Sequence, residues 1–236
     1  MNDSRSPRPS MLLVGASRGI GLAMAEELLE RGWDLVGTVR GGGRTGLHEL
    51  AGSYPERLAI EPVDVTRAEQ LSALRERLAQ RRFDALFVNA GTANPRPDDT
   101  MADIETEEFV RVMVTNALGP MRCLEMLDGL VRPAGLVGVM SSGQGSVANN
   151  QQGGRELYRA SKAALNMLMR SYAARQTGSG RSLLVLAPGW IRTELGGPDA
   201  TFTLEQTIPD IVDCLLAKRE RPGLEYLDRN GKVVPW

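Results

Sequence analysis

Residues 156–165 read ELYRASKAAL. Tyr158 stands four places before Lys162, so on a helix the phenol and the ammonium share a face, one turn apart. A phenol ionises near pH ~10 in water, and a positive charge beside it favours the phenolate. Drawing it towards ~7 takes about 4 kcal/mol of preferential stabilisation. Such a pair could give a proton to a carbonyl oxygen or take one from an alcohol. It could equally be an exposed helix pair, so its meaning depends on what else the chain supplies.

Short polar or glycine-rich motifs close a series of apolar runs. MLLVG (11–15), DLVGTV (34–39), the run within LAIEPVDV (58–65), DALFVNAG (84–91), LVGVMSS (136–142) and SLLVLAPG (182–189) read as buried strands, with a last short one near LEYLD (224–228). Helical spacing falls between them, at 19–32, 67–82, a long region from about 105 to 131 broken near Gly119–Pro120, 157–176 and 204–218. This alternation predicts an α/β fold, a doubly wound parallel sheet of about seven strands with helices on both faces. GGGR (41–44) and TGSGR (177–181) read as loops, 1–10 as a flexible N-terminal tail and 11–236 as a single domain.

VGASRGIG (14–21) joins the first strand to the first helix. Gly15, Gly19 and Gly21 let the backbone approach a pyrophosphate, and the helix N-terminus turns N–H groups and partial positive charge towards it. The plainer alternative is a tight strand–helix turn. The second strand ends in TVRGGGR, with Val39 and Arg40 and no acid to accept hydrogen bonds from the ribose of NAD. Arg40 and Arg18 together could clamp a 2′-phosphate, which favours NADP(H) over NAD(H). Otherwise both are solvated surface charges.

Asn89–Ala90–Gly91 after the fourth strand, Ser141–Ser142 after the fifth, Tyr158 and Lys162 on the next helix and Pro188–Gly189 after the sixth complete a pattern. All lie at carboxyl ends of strands, where open α/β sheets bind ligands. The pattern resembles the short-chain dehydrogenase/reductase family over about 11–236. Within that family it is most similar to the C-factor and sniffer-type carbonyl reductases, through GASRGIG, YRASKAALN, PGWIRTELGG and the ending DRNGKVVPW. The resemblance implies a Rossmann-type fold and active-site residues at Asn116, Ser142, Tyr158 and Lys162. It implies cofactor contacts at Gly15, Ser17, Arg18, Gly19, Ile20 and Gly21, at Arg40, at Asp64 and Val65, and at Asn89, Ala90 and Gly91. Tyr158 and Lys162 join them, with Pro188, Gly189, Trp190, Ile191 and Thr193.

The chain departs from the family pattern in two places. Val14 stands where many members have Thr, and Ser142 lies 16 residues before Tyr158, a longer interval than in many members. The additional residues fall in the polar stretch VANNQQGGRE, which should shape the substrate mouth. Gly145, three residues on, selects Ser142 over Ser141.

The resemblance implies that Tyr158 gives its proton to a carbonyl oxygen, with hydride delivery belonging to the cofactor. Lys162 lowers the phenol and binds ribose hydroxyls, and Ser142 holds the substrate oxygen. Asn116 holds a water leading from Lys162 to solvent, Asp64 accepts from the adenine amino group, and Thr193 holds the carboxamide. Each has a simpler role too. Ser142 could be a polar strand end, Asn116 a helix-kink residue and Asp64 a helix cap. Met113, Met121, Met126, Met167 and Met169 read as core filler. The segment after Thr193, ELGGPDATFTLEQT, reads as a mobile lid or a plain surface loop, and Trp190 as a wall beside the nicotinamide.

A net charge of -1, from 28 basic and 29 acidic residues, points to no nucleic acid or polyanion partner. No run is apolar enough to span a membrane. The one histidine, His48, argues against a His-based metal site or triad, and no metal is expected. Cys123 and Cys214, far apart, fit a reducing cytoplasm. No cluster of charge in the sequence points to a carboxylate or phosphate on the substrate, so a small or medium, mostly apolar aldehyde or ketone, or the matching alcohol, is expected. A 3-oxoacyl-carrier-protein or ketosteroid-like reductase and a non-catalytic NADP-binding regulator are the alternatives. Relatives pair through the two long helices at about 105–131 and 157–176, which leaves homodimer and homotetramer open.

Overall fold

The computed structural model describes residues 8–236. Apolar side chains alternate between two cores along the strands. Leu12 and Val14 of β1 (Ser10–Val14) face one core, while Met11 and Leu13 face the other. That period of two, apolar on both sides, is what a sheet covered on both faces requires. β1 is joined by β2 (Asp34–Val39), β3 (Leu58–Pro62), β4 (Phe83–Val88), β5 (Val131–Met140), β6 (Ser182–Ala187) and β7 (Gly223–Asp228). All pair in parallel, in the order β3-β2-β1-β4-β5-β6-β7.

The winding reverses between β1 and β4, which opens a crevice at their carboxyl ends. Val14 pairs in register with Val88 there, so the turns that follow the two strands lie side by side. α1 (Gly19–Glu30), α2 (Gly46–Ser53) and α7 (Leu204–Lys218) cover one face through Met24, Leu28, Leu47, Ile211 and Leu215. α3 (Ala68–Arg77), α5 (Gly119–Leu127) and α6 (Glu156–Arg175) cover the other through Leu71, Leu74, Leu124, Leu165 and Tyr172. Burying each Leu contributes on the order of 2 kcal/mol.

The structure changes several sequence-based boundaries. The long helix expected over about 105–131 is α4 (Thr106–Met113), a π turn at Val114–Leu118, then α5. Its irregularity precedes Gly119–Pro120: the backbone stays helical through Leu118 and Gly119, and the widened π turn accommodates the hydrogen bond and the space that Pro120 denies the preceding turn. α2 had no periodic signal: it has eight residues, two of them glycine. It starts where Thr45 N donates to His48 Nδ1 at 3.1 Å, so the lone histidine serves as a helix cap. β1 begins at Ser10, and Arg8 pairs with Asp34 at 2.9 Å. The rest of the expected tail, residues 1–7, lies outside the described residues. Among the described residues no helix is long and apolar enough to cross a membrane.

Candidate active site

The glycine turn is built by close backbone approach. Gly15 has φ +86°, and a Cβ there would fall 2.7 Å from Ala90 N. A Cβ at Gly21 would fall 2.1 Å from Gly15 O, so only glycine fits. Asn89 braces the turn: its N donates to Val14 O at 2.8 Å and its Nδ2 to Gly15 O at 2.8 Å. Gly15 N donates to Thr38 Oγ1 at 2.9 Å, tying the turn to β2. At Arg18, the N-cap of α1, no side chain caps the helix, and the first turn holds no acid. The leading N–H groups are therefore open to an anion, with Ser17, Gly19 and Ile20 around them. This donor set fits a dinucleotide pyrophosphate.

Beyond β2, Arg40 is exposed and no acid replaces it. Asp64 Oδ1 accepts from Thr66 N at 2.9 Å and Thr66 Oγ1 at 2.7 Å. It is thus an Asx turn ahead of α3, whose N-cap is Arg67, and not the helix cap that the sequence allowed. Burial works to raise the Asp64 carboxyl, but the Thr66 hydrogen bonds, with Arg40 and Arg67, outweigh it and hold it below the usual carboxylate value. Val65, next to it, is buried. Arg18, expected beside Arg40 on a phosphate, pairs here with Glu194, both largely exposed.

Asn116 lies in the π turn, fully buried. Its Oδ1 accepts from Thr92 N at 2.7 Å, and its Nδ2 donates to Thr92 O at 2.8 Å and to Ser161 Oγ at 2.9 Å. The side chain therefore fastens the loop after β4 to α6. Lys162 Nζ and Asn116 Oδ1 both lie 3.4 Å from the position a Gly91 Cβ would take, so they border the same spot. Lys162, 3% exposed, donates from Nζ to Met140 O at 2.9 Å, and burial pushes it down to about 8.

Tyr158 is half-buried, with Lys162 Nζ 5.8 Å from its ring centroid. Burial raises its phenol above the ordinary value, while Ser142 and Arg155 pull the other way. The sequence predicted a lowered phenol. The structure differs because the ammonium is turned to the Met140 carbonyl and burial dominates. Ser142 Oγ accepts from Gln144 N at 3.1 Å, and its carbonyl accepts from Tyr226 OH. Ser141 points away, buried, donating from Oγ to Asn166 Oδ1 at 2.6 Å. Asn166 Nδ2 then holds Gly145 O at 3.1 Å.

Sequence reasoning missed Asn166, Ser161, Thr92, Tyr226 and Arg155. Asn166 and Ser161 had a signal, since both sit near Lys162 in YRASKAALN. Tyr226 comes from the far strand and had none.

After β6, Pro188 and Gly189 lead into Trp190 and Ile191. Arg192 N donates to Phe202 O at 2.8 Å and Phe202 N to Trp190 O at 3.1 Å, which closes the neck of the loop 192–202. Thr193 Cγ2 lies 3.5 Å from where a Gly19 Cβ would be, so the loop base stands over the glycine turn. Trp190, 42% exposed, donates from Nε1 to Gly196 O at 2.8 Å. Tyr158, Lys162, Ser142, the glycine turn and the loop base thus meet at one end of the sheet. The site can bind a dinucleotide and hold a protonated phenol above a buried amine, the equipment of a nicotinamide-dependent oxidoreductase.

Comparison with known proteins agrees. The family model described as enoyl-(acyl carrier protein) reductase matches residues 15–208. The chain belongs to the short-chain dehydrogenase/reductase family and is an NAD(P)-dependent enzyme. A short-chain dehydrogenase/reductase of Burkholderia multivorans, solved with bound NADP, is 60% identical, with a TM-score of 0.96 over 98% of this chain and 100% of that one. A carbonyl reductase of Pseudomonas aeruginosa PAO1 in complex with NADP is 36% identical, with a TM-score of 0.89 over 98% and 100%. The 1-hydroxy-2-glutathionyl-2-methyl-3-butene dehydrogenase of Rhodococcus sp. (strain AD45) is 33% identical over 234 residues, 96% of this chain and 99% of that protein.

Proposed function

We propose that this enzyme reduces an aldehyde or ketone to an alcohol with NADPH, using Tyr158 as the proton donor. The observation that carries the reading is the Tyr158 phenol beside Ser142, with the buried Lys162 amine on the same helix face. When bound, NADPH supplies the hydride. Ser142 Oγ orients the carbonyl oxygen towards the phenol, and Tyr158 gives its proton to that oxygen. Burial keeps the phenol in its protonated form at neutral pH, the form that can give a proton to the carbonyl oxygen. Lys162 Nζ, with one acceptor among the described residues, offers its remaining protons to ribose hydroxyls and passes a proton towards Tyr158, which solvent then replaces on the amine. Asn116 keeps the Gly91–Thr92 loop against α6, so that the Lys162 amine stays facing the crevice.

Preference for NADP(H) is supported by the exposed Arg40 and the absence of an acid at the end of β2. Arg18 joins it by exchanging Glu194 for a phosphate. The exposed apolar side chains Phe109, Val110, Leu118, Met167 and Leu168 support pairing of copies along α4 and α6. The two unpaired, buried thiols support a reducing, cytoplasmic setting.

The test is NADPH oxidation followed by absorbance over a panel of aldehydes and ketones. Tyr158→Phe should lose at least ~100-fold in kcat/KM while still binding NADPH. Turnover that survives this substitution overturns the assignment, and cofactor binding with no turnover across the panel points to a binding protein instead.

A further inference from the structure

Arg155 stands at the mouth of the site, beside Trp190. It is the N-cap of α6, three residues before Tyr158, and its backbone is left-handed (φ 50°, ψ 40°). Among the described residues it is the single non-glycine with positive φ, and it follows Gly153 and Gly154, which share that conformation. A non-glycine residue in this conformation is uncommon, and glycine would enter the turn freely, which singles the position out for a functional question. The guanidinium lies 5.6 Å from the centroid of the Trp190 ring, at the neck of the loop 192–202. Its charge also reaches the Tyr158 phenol. Arg155 therefore spans the space between the proton donor and the aromatic wall.

Glu156 and Glu194 are engaged elsewhere. Glu156 Oε2 accepts from Met101 N at 3.1 Å, and Glu194 pairs with Arg18. Among the described residues Arg155 makes no ion pair, and its side chain makes no hydrogen bond within the protein. Arg159, one turn on, donates from Nε to Gly154 O at 2.8 Å and adds positive charge to the same loop. A half-buried guanidinium with its donor fork free matches a planar carboxylate.

We propose that Arg155 selects substrates carrying a carboxylate beyond the reacting carbonyl, so that the enzyme reduces an oxo-acid and not the apolar carbonyl compound the sequence led to. The substrate skeleton lies along the Trp190 ring, and the carboxylate meets the guanidinium. This rests on the reductase reading above, since it names the substrate class of that same site.

The test compares kcat/KM for 4-formylbenzoate and its methyl ester at low ionic strength. The acid should be preferred about tenfold or more, and Arg155→Met should lower the acid-to-ester ratio by ~10–100-fold. Arg155→Lys should restore part of it, and added salt should weaken it. A second readout needs no turnover: quenching of intrinsic tryptophan fluorescence in the NADP complex by 4-carbamoylbenzoate against terephthalamide. Acid-selective binding that depends on Arg155, without reduction of any carbonyl, supports the recognition and sinks the reductase reading. Equal treatment of acid and ester by the parent enzyme overturns the proposal. So does a ratio unmoved in a variant shown folded by circular dichroism. Arg155→Gln provides that variant if Arg155→Met does not fold.

Discussion

Lys162 and Lys218 are both buried in this fold, at opposite ends of the molecule, and their surroundings differ in kind. Lys218 closes α7, is 0% exposed, and donates from Nζ to Arg221 O and to Gly223 O, while pairing with Glu225 at 3.0 Å. An ammonium has three protons, and here each has an acceptor, one of them charged. Among the described residues Lys162 has one acceptor, the Met140 carbonyl. Burial lowers both amines, but only Lys218 has a carboxylate pulling back. A buried charge with its bonds complete holds structure together. One left incomplete raises the energy of the folded chain and is suited to a ligand that completes it.

Function separates the two most strongly. Lys162→Met should lower kcat/KM for carbonyl reduction by ~100- to 10,000-fold, whereas Lys218→Met should leave the activity of the folded fraction near that of the parent. NADPH oxidation assays on both variants check this, and equal losses would erase the distinction.

Stability should show the reverse order. Lys218→Met leaves the Arg221 and Gly223 carbonyls without their donor and Glu225 with Arg221 alone, and should cost about 2–4 kcal/mol in urea unfolding. Lys162→Met removes an under-partnered charge and should be neutral or stabilising.

The pH dependence sharpens the contrast. Lys162 falls from 10.5 to about 8 on folding. Below pH 8 both states carry its proton and the folded chain bears the whole penalty. Between about 8 and 10.5 the unfolded chain keeps a proton the folded one has released, so this contribution to stability rises with pH, by up to ~3 kcal/mol. Other groups titrate in that range, including Cys123, so the quantity to measure is the parent protein minus Lys162→Met, in urea without cofactor, at several pH values. A flat difference would mean that Lys162 is better solvated than its burial implies.

The smallest effect turns one lysine towards the other. Glu225→Gln leaves Lys218 with carbonyl acceptors and no counter-charge, and should cost about 1–3 kcal/mol with little change in kcat/KM. A loss of activity larger than the loss of folded protein would show that the α7 end is coupled to the site.

The two lysines also differ in how visible they are in the sequence. Lys162 was legible because its partner in chemistry, Tyr158, is one helical turn away, and helix geometry turns that spacing into proximity. Lys218 sits in AKRERPGLE, which reads as a solvated charge run. Its acceptors come from a turn and from β7, and no local period reports them. The same divide runs through the fold. Long periodic elements such as α6 and α7 could be placed from the sequence to within a residue or two, while α2 was too short and glycine-rich to register. Asn116 was placed in a broken helix, but its grip on Thr92 and Ser161 required the π turn.

The sequence by itself determined the alternation of strands and helices, the glycine turn and the Tyr158–Lys162 register, because each follows from spacing along one element. Tertiary structure alone decided that burial raises the Tyr158 phenol, that Ser141 turns inward while Ser142 does not, and that Arg155 reaches Trp190. Those outcomes depend on desolvation and on contacts between residues distant in the chain, and both arise only when the elements pack.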